Sequence, residues 1–423
     1  MEKYSEYKDC GVQWLGKIPS HWEVKRLASY FTERKVKVSD KEFAPLSVTK
    51  NGIYPQLENV AKTNDGDNRK LVLSGDFVIN SRSDRKGSSG VAKQDGSVSL
   101  INIVLKPRKK IYPDFCNYLL KCYSFIEEYY RNGRGIVADL WTTRYDEMKT
   151  IKIPVPLLNE QKAIVRYLNK VTSNIDKAIA QQQKMIDLLN ERKQIIINNA
   201  VTKGLNPDVP MKDSGVDWIG DIPKDWSIYR LKYLLKEKLK YGANESAESD
   251  NTSYPRYIRI TDIDENGALK DNTFKSLMPI KARPYLLNKG DILLARSGAT
   301  AGKSFLFEGG INACFAGYLI KASLSTIIVP RYFMYFTYSG VYDNWKKSIF
   351  IQATIPNIGA DKYANLLVSL PPINEQHKII AYLNKETEKI NNTIDYSKRI
   401  ISLLQERKQI IINDVVTGKV KVS

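Results

Sequence analysis

Residues 297–304 form the segment of this chain that comes nearest to a known catalytic loop. Their sequence, SGATAGKS, differs from the phosphate-binding loop of ATP- and GTP-hydrolysing proteins only at Ser297, where that pattern has glycine. A phosphate-binding loop must open a helix whose N-terminus faces the phosphates. Residues 305–310 predict a short strand and a turn instead, so we favour a non-hydrolytic role. A P-loop ATPase remains the enzymatic alternative, and it would lose nucleotide binding on Lys303→Ala.

Other residue types that carry catalysis are scarce. The 423 residues include two histidines, His21 and His377, which leaves almost no material for a histidine-based metal site or catalytic triad. The four cysteines form no Cys-x-x-Cys pair and predict reduced thiols rather than zinc ligands or disulfides. We find neither the Asn/Asp-Pro-Pro-aromatic segment of amino-methyltransferases nor the carboxylate pair and lysine of a metal-dependent nuclease. The sequence therefore predicts a non-catalytic protein.

Both halves of the chain contain a polar, glycine-rich loop after an apolar strand. In the first half, a strand, a Gly-Asp turn and a second strand span residues 71–80 and lead to the loop 81–90. In the second half, Gly-Asp at 290–291 precedes the strand 292–295 and the loop 296–304. Side chains in such loops can reach base edges or phosphates of DNA, and small glycines allow close approach. We predict DNA contacts by Arg82, Ser83, Arg85, Lys86, Arg296, Ser297, Thr300 and Lys303. The alternative for each of them is a solvated loop residue.

The overall charge favours a polyanionic partner. Lysine plus arginine total 65 against 46 aspartate plus glutamate, a net charge of +19, which suits double-stranded DNA first and an anionic membrane surface second. No apolar run approaches the roughly 18 residues of a membrane span, and the first residues lack the apolar core of a signal peptide. We expect a cytoplasmic protein that does not enter a membrane.

A long apolar-striped segment occurs twice and must position these loops. Asn-Glu-Gln at 159–161 returns at 374–376, an offset of 215, and both segments continue to a Glu-Arg-Lys-Gln run at 191–194 and 406–409. Apolar residues recur in alternating steps of four and three, which predicts a helical heptad seam. Its apolar positions are Ile164, Leu168, Val171, Ile175, Met185 and Leu189 in the first copy and Ile379, Leu383, Ile390, Ile400 and Leu404 in the second.

Each of these helices is too long to bury within one small domain. About 40 helical residues reach roughly 60 Å, so we expect the two copies to pair with each other. Asn159 and Asn374 are candidate N-caps and Gly204 a candidate C-terminal stop. Apolar positions flanking the seam widen the stripe and favour additional helices from another protein. The alternative is a plain helical-bundle core with no partner.

A tryptophan-containing lead-in precedes each half. The pattern Gly-Val-x-Trp-(Leu/Ile)-Gly-x-Ile-Pro-x-x-Trp spans residues 11–22 and returns at 215–226, an offset of 204. This glycine and proline spacing predicts a turn-rich segment whose Trp22 and Trp226 close a core. Base stacking by these two indoles is the alternative. Because the offsets 204 and 215 differ by 11, the second half carries extra residues, which we place in a solvated loop at 243–253.

These features together resemble the specificity subunit of type I restriction-modification systems over nearly the whole chain. The resemblance rests on the duplicated lead-ins, on Gly-Asp-Ile-Leu-Leu-Ala-Arg-Ser-Gly-Ala-Thr at 290–300, and on Pro-Pro-Ile-Asn-Glu-Gln at 371–376. It implies an α+β fold in which two mixed α/β target-recognition domains, 1–156 and 206–370, are joined by helical spacers, 157–205 and 371–423. The two long helices would form an antiparallel coiled coil between halves related by a pseudo-two-fold axis. Residues 80–85 depart from 295–300, so the loop contacts carry over less directly to the first domain.

The resemblance also implies a function and partners. The chain would read a bipartite, asymmetric DNA target, one part per recognition domain, with the helices acting as a spacer of fixed length. It would dock two modification subunits and, through them, two restriction subunits. Those partners would form an adenine-N6 methyltransferase and an ATP-dependent endonuclease that use S-adenosylmethionine, ATP and magnesium, while this chain would hold no cofactor and no metal. The rival is a stand-alone coiled-coil scaffold that binds DNA without sequence readout.

Overall fold

The computed structural model describes residues 2–56, 66–135, 141–246, 249–264, 267–350 and 356–422. The chain divides into two compact units: Met1–Gln183 together with Lys398–Ser423 form unit 1, and Lys184–Ser397 form unit 2. Each unit contains one mixed α/β block and one end of each of two long helices. The predicted duplication is therefore present, and the boundaries between the two units fall inside the long helices.

Unit 1 is built mainly from short antiparallel strands, followed by three short helices and the first long helix. Its elements are β1 (Tyr7–Asp9), β2 (Lys17–Pro19), β3 (Glu23–Arg26), β4 (Phe31–Glu33), β5 (Lys37–Val38), β6 (Leu46–Thr49), β7 (Gly52–Pro55), β8 (Arg69–Val72), β9 (Phe77–Asn80), β10 (Ser89–Val91), β11 (Gly96–Val98), β12 (Asn102–Pro107), α1 (Pro113–Leu119), α2 (Tyr123–Arg131), α3 (Tyr145–Met148), β13 (Lys152–Val155) and the start of α4 (Leu158–Thr202). Its largest described sheet has the strand order β10-β9-β12-β4.

Unit 2 repeats this plan with local differences. Its elements are β14 (Met211–Asp213), β15 (Asp221–Pro223), β16 (Ser227–Arg230), β17 (Lys240–Tyr241), β18 (Arg256–Ile258), α5 (Pro279–Ala282), β19 (Ile292–Ala295), β20 (Ser304–Leu306), β21 (Ala313–Phe315), β22 (Leu319–Ala322), α6 (Pro330–Thr337), α7 (Gly340–Phe350), α8 (Ala360–Ala364), β23 (Leu367–Leu370) and the start of α9 (Ile373–Val416). Its four-stranded sheet has the order β17-β22-β19-β20.

The central strands β9 and β19 show why the two blocks fold alike. All residues of both strands are buried; β19 is apolar throughout and β9 is apolar up to its last residue, Asn80. In unit 1, Ile79 pairs with Ser89 on β10, and in unit 2 Leu294 pairs with Ser304 on β20, at the same offset that relates the two long helices. The predicted strands at 71–80 and 292–295 are therefore confirmed, and each leads into a hairpin that carries a glycine-rich loop.

The helical segments that follow the two hairpins are each split in two. In unit 1, α1 ends at Leu119 before α2 starts at Tyr123, and in unit 2, α6 ends at Thr337 before α7 starts at Gly340. In unit 1 the chain turns through Cys122, which has an extended backbone. Proline at the first helical position starts both α1 and α6, where its missing N–H costs nothing.

The extra residues of the second half are only partly solvated. Ala243 is buried, and its carbonyl accepts a 2.6 Å hydrogen bond from the hydroxyl of Tyr257, so the predicted loop at 243–253 is wrong at its start. The described residues 244–246 and 250–253 are exposed, and 247–248 lie outside the described residues. Beyond this loop, β18 and β21, which both lie in unit 2, pair in parallel.

The long helices pack against each other inside each unit. In unit 1, Ile164 and Leu168 near the start of α4 share one core with Ile411 and Val415 near the end of α9. In unit 2, the end of α4 and the start of α9 share a core that includes Val201 and Ile379. The prediction that the two copies pair with each other is confirmed, and burial of these apolar faces stabilises both units.

The buried stripe of α4 has an 11-residue period instead of the predicted heptad. Ile164, Ile175, Ile186 and Ile197 are all buried, whereas the heptad position Met185 is 48% exposed. The heptad prediction is therefore wrong beyond Ile175. An 11-residue repeat corresponds to about 3.67 residues per turn, close to the 3.6 of a straight α-helix, so such a stripe stays on one side without left-handed supercoiling.

The predicted interface residues divide accordingly. Six are buried, four are half-buried and Met185 is exposed; the buried ones are Ile164, Leu168, Ile175, Ile379, Leu383 and Ile390, and the half-buried ones are Val171, Leu189, Ile400 and Leu404. In α9 the 11-residue repeat continues from Ile379 and Ile390 through Ile401 and Ile412, which are half-buried.

The predicted N-caps of the two long helices are wrong, whereas the predicted C-terminal stop of α4 is confirmed. Asn159 and Asn374 are not N-caps, because α4 begins at Leu158 and α9 at Ile373. The first helical hydrogen bonds already go to the carbonyls of Leu157 and Pro372. Gly204 follows the end of α4 with φ of 75°, a left-handed conformation that suits glycine at a helix stop. That stop is confirmed.

Candidate nucleic-acid interface

The two glycine-rich loops are built in the same way in both units. The loop between β9 and β10 contains a 3-10 turn at Ser83–Arg85, and the loop between β19 and β20 contains one at Gly298–Thr300. Gly87 and Gly302 occupy equivalent positions with φ of 80° and 85°, which side chains rarely adopt. Each loop is thus a rigid, tight hairpin end and not an open connection.

A buried aspartate anchors each hairpin at its foot. The Asp76 carboxylate accepts hydrogen bonds from the backbone N–H of Leu73 at 2.9 Å and from the Arg34 guanidinium at 2.6 and 3.1 Å. The Asp291 carboxylate accepts one from the N–H of Asn288 at 2.8 Å, and Lys321 lies 3.7 Å away. A buried carboxylate needs such partners, so both aspartates are structural.

The first loop presents two exposed arginines. Arg82 and Arg85 are both exposed, and the Arg85 guanidinium lies 3.6 Å from Asp84. Lys86 is held by Glu127 at 2.7 Å and lies over the ring of Tyr130 at 5.8 Å. The exposed arginines suit contacts with a polyanion, because exposed ion pairs such as that of Arg85 are weak.

The second loop places its predicted residues in more constrained positions. The Arg296 guanidinium stacks over the ring of Tyr241 at 5.2 Å, a cation–π contact that fixes its direction. The backbone of Ser297 forms a β-bridge with Asn357. The Lys303 ammonium donates to two backbone carbonyls, at 3.1 and 3.4 Å. Thr300 is half-buried.

The structure confirms the strand predicted after the P-loop-like segment. Ser304–Leu306 is β20, which pairs antiparallel with β19. The segment therefore does not open a helix that could face phosphates, and the P-loop alternative loses its structural basis. Among the described residues, no cluster of three or more His, Cys, Asp or Glu side chains has metal-binding geometry.

Buried tyrosines hold both loops from beneath. The Tyr130 hydroxyl donates to the carbonyl of Arg82 at 3.2 Å, and the Tyr342 and Tyr363 hydroxyls donate to the carbonyls of Gly302 and Ala295 at 2.9 and 2.7 Å. Burial raises the pKa of Tyr130 to about 12, so its hydroxyl keeps its proton. These three tyrosines are positioning residues.

The lead-in tryptophans are structural. Trp22 and Trp226 are fully buried, which confirms their core role and rules out base stacking. Their indole N–H groups donate to Glu160 at 3.1 Å and to Glu375 at 3.0 Å, the glutamates of the repeated Asn-Glu-Gln triplet. Each tryptophan thus ties its lead-in to the first turn of a long helix of its own unit.

The glutamine of the same triplet fixes the helix start to the recognition block. Gln161 accepts a 2.8 Å hydrogen bond from the N–H of Tyr112 and donates to the carbonyl of Pro156 at 2.9 Å. Gln376 does the same with Val329 and Pro371 at 2.8 and 2.9 Å. This role of the two glutamines was not predicted from the sequence. The signal that could have revealed it is the Glu-Gln pair that recurs at the start of both long helices, at 160–161 and 375–376.

Comparison with known proteins gives the same family twice along the chain. The family model for the type I restriction modification DNA specificity domain matches residues 19–186 and 223–402, which together exceed half of the chain. The specificity subunit of type I restriction enzyme MjaVIII from Methanocaldococcus jannaschii is 25% identical over 96% of this chain and 94% of its own length.

Solved structures show the same fold. A chain from a study of complex assembly and conformational transition in the type I R-M system has a TM-score of 0.69 and 16% identity, over 95% of this chain and 99% of its own. The HsdS subunit from Thermoanaerobacter tengcongensis has a TM-score of 0.51 and 16% identity, over 95% and 98%. In the described part of this chain, no helix is both long and apolar enough to cross a membrane.

Proposed function

Because this chain belongs to the type I restriction-modification DNA specificity family, we propose that it reads a bipartite, asymmetric DNA sequence, one part with each unit. The observation that carries this proposal is the duplicated hairpin with different side chains at its tip. Arg82 and Arg85 stand in the first loop where Ser297 and Thr300 stand in the second. Two hairpins with the same backbone but different side chains at the tip suit an asymmetric target, because they present different groups to the two half-sites.

The eight residues predicted to contact DNA suit different kinds of contact. Arg82 and Arg85 are exposed and suit guanine edges or phosphates. Arg296 is fixed by Tyr241 in one direction, which suits a base-specific contact. Ser83, Lys86, Ser297, Thr300 and Lys303 are the remaining candidates, and we assign them to phosphate or sugar contacts that set the register on the duplex.

The long helices are proposed to form an antiparallel coiled coil that sets the spacing between the two readers and docks modification subunits. The support for docking is a pair of exposed apolar residues that occurs at equivalent positions of both helices, Leu188 with Ile195 and Leu403 with Ile410, all 51 to 55% exposed. One such pair lies in each unit. Two equivalent apolar surfaces favour two modification subunits, because exposed apolar patches mark protein contacts.

The chemistry is proposed to belong to the partners. Specificity subunits of type I systems are generally non-catalytic, and the MjaVIII relative is named as one. We infer that two modification subunits supply an adenine-N6 methyltransferase with S-adenosylmethionine, and that two restriction subunits add ATP- and magnesium-dependent cleavage. This chain would hold no cofactor. A stand-alone scaffold without sequence readout has no support from the family.

A domain exchange tests the proposed function. Residues 206–365 are replaced by the corresponding block of a relative, and modified adenines are mapped across a genome that expresses the hybrid complex. We expect only one half of the recognised sequence to change. The reciprocal exchange of the first recognition block serves as the control and should change only the other half. Alteration of both halves by either exchange would contradict one reader per unit.

A further inference from the structure

A cleft of about 450 Å³ lies in unit 2 beneath the second recognition loop. Its lining includes loop residues 299–304 and residues from α4, α6, α7 and α9. Three lysines from three different elements line it: Lys193 from α4, Lys303 from the loop and Lys346 from α7. Residues of the long helix α4, of the second glycine-rich loop and of α7 therefore lie together at this cleft.

The lysines of this cleft are poorly balanced by carboxylates. The Lys193 ammonium donates to the amide oxygen of Asn391 at 2.8 Å, and the Lys303 ammonium donates to two backbone carbonyls at 3.1 and 3.4 Å. Lys346 pairs with Asp343 at 2.7 Å. Among the described lining residues, Asp343 is the one carboxylate against three ammonium groups. Burial also lowers the pKa of Lys193, because desolvation disfavours the charged form of the ammonium group.

The duplication supplies an internal comparison. Lys408 in unit 1 is equivalent to Lys193, and its ammonium bonds both oxygens of Asp176 at 2.7 Å. Asn391 stands where unit 1 has Asp176, and Lys303 stands where unit 1 has the buried Ser88. Unit 1 neutralises its helix lysine with a carboxylate, whereas unit 2 has an amide at that position and a lysine in place of Ser88. The result is a net positive cleft in unit 2.

We propose that this cleft binds a phosphate group of the DNA backbone, with Lys193 as a phosphate contact supplied by the long helix. The proposal rests on the proposed function, because the loop that walls the cleft is the candidate reader of the second half-site. Lysine ammonium groups act as point charges toward phosphate oxygens, and Thr300 adds a hydroxyl to the lining of the cleft. The contact ties the recognition loop, the spacer helix and the DNA strand together at one phosphate.

Two substitutions in the full chain, assembled with its modification subunits, test the proposal. Asn391→Asp installs the carboxylate that unit 1 already has opposite its lysine, and Lys193→Gln removes the charge itself. Their matched controls are Asn392→Asp and Lys184→Gln, which make the same charge changes at exposed positions of α9 and α4. Binding of the cognate duplex is measured by fluorescence anisotropy over a series of salt concentrations.

Each test variant should reduce the slope of log K against log salt concentration by about 0.9, the value for one lost phosphate contact. Base preference should stay unchanged, and both controls should keep the wild-type slope. Wild-type slopes in both test variants, with melting temperatures unchanged, would overturn the phosphate contact. If the wild-type complex itself shows no sequence preference, the proposed function fails before this inference is reached.

A second measurement separates the sources of the anion. Binding of inorganic phosphate is followed by calorimetry on the same assemblies. Loss of phosphate binding in Asn391→Asp together with the reduced DNA slope supports the proposal. Loss of phosphate binding with an unchanged DNA slope would assign the cleft to a free anion and overturn it. Weaker assembly with the modification subunits and an unchanged DNA slope would assign the cleft to a protein carboxylate and overturn it as well.

Discussion

At the scale of single residues, the second recognition hairpin depends on a buried lysine between two carboxylates. The Lys321 ammonium lies 3.1 Å from Glu237 and 3.7 Å from Asp291, and the Ser323 hydroxyl lies within hydrogen-bonding distance of both carboxylates. In unit 1 the equivalent Asp76 is balanced by Arg34. The two hairpins therefore share an anchor but neutralise it with different residues.

This arrangement predicts how unit 2 responds to acid. A hydrogen bond from Lys240, with help from Lys321 and Ser323, lowers the pKa of Glu237 from 4.5 to about 2. Because the pKa is lower in the folded state, the carboxylate stabilises the fold above about pH 4.5, and that stabilisation is lost as the pH falls toward 2. Glu237→Gln should lower the thermal midpoint at pH 7 and flatten its decline between pH 4.5 and 2.

Thermal unfolding followed by circular dichroism across this pH range is the measurement. Glu388→Gln removes an exposed carboxylate from α9 and should leave the stability at pH 7 within about 0.5 kcal/mol of the wild-type value. An identical pH profile for wild type and Glu237→Gln would refute the role given to this carboxylate.

At the scale of elements, the 11-residue stripe separates two adjacent positions of α4. Ile186 is 6% exposed and Met185 is 48% exposed, although a heptad seam would bury Met185 instead. We expect Ile186→Ala to destabilise the protein by about 2–5 kcal/mol, through the lost side chain and the cavity it leaves. Met185→Ala should change stability by no more than about 0.5 kcal/mol. Chemical denaturation of the two variants side by side distinguishes the two periods, and equal losses would count against the 11-residue repeat.

How much of these elements the sequence could predict depends on what each pattern contains. The strands β9 and β19, the Gly-Asp turns and the stop at Gly204 follow from local residue preferences, and all were predicted. The heptad and 11-residue templates agree from Ile164 to Ile175, so the first three turns of helix could not separate them. The split between α1 and α2 falls at the buried Cys122 and not at a glycine or proline, so it has no local sequence signal.

The candidate site was predictable only as a pair of loops. Residue types marked the loops as polar and cationic, but they did not show that Lys86 is held by Glu127 or that Arg296 lies over Tyr241. Such contacts join residues that are distant in sequence. The hydrogen bond between Trp22 and Glu160 was equally unpredictable, because the two residues are 138 positions apart and neither residue type indicates the other as its partner.

At the scale of the whole molecule, the two helices make the spacing between half-sites testable. Both helices pass from one unit to the other, α4 after Gln183 and α9 after Ser397. Inserting two 11-residue repeats at both points preserves the buried stripe and lengthens each helix by about 33 Å. That length is close to one turn of DNA. We therefore expect the accepted spacer to grow by about ten base pairs.

A single 11-residue insertion at both points is the control variant. It preserves the stripe equally well but adds about 16 Å, or about five base pairs, which turns the second half-site to the opposite face of the duplex. This variant should fold with wild-type helicity and methylate no sequence with either the old or the lengthened spacer. Sequencing of modified adenines reads out both variants. An unchanged spacer after the longer insertion would rule out the helices as the ruler.

The composition of unit 1 also has a consequence for how the protein is made. Its core joins Trp22 and Ile164 to Ile411 and Val415, whereas unit 2 is one continuous stretch from Lys184 to Ser397. The apolar face of the first block is therefore covered only once Lys398–Ser423 have been synthesised. We expect unit 1 to complete its core no earlier than unit 2, in contrast to the usual order in which N-terminal parts fold before later ones.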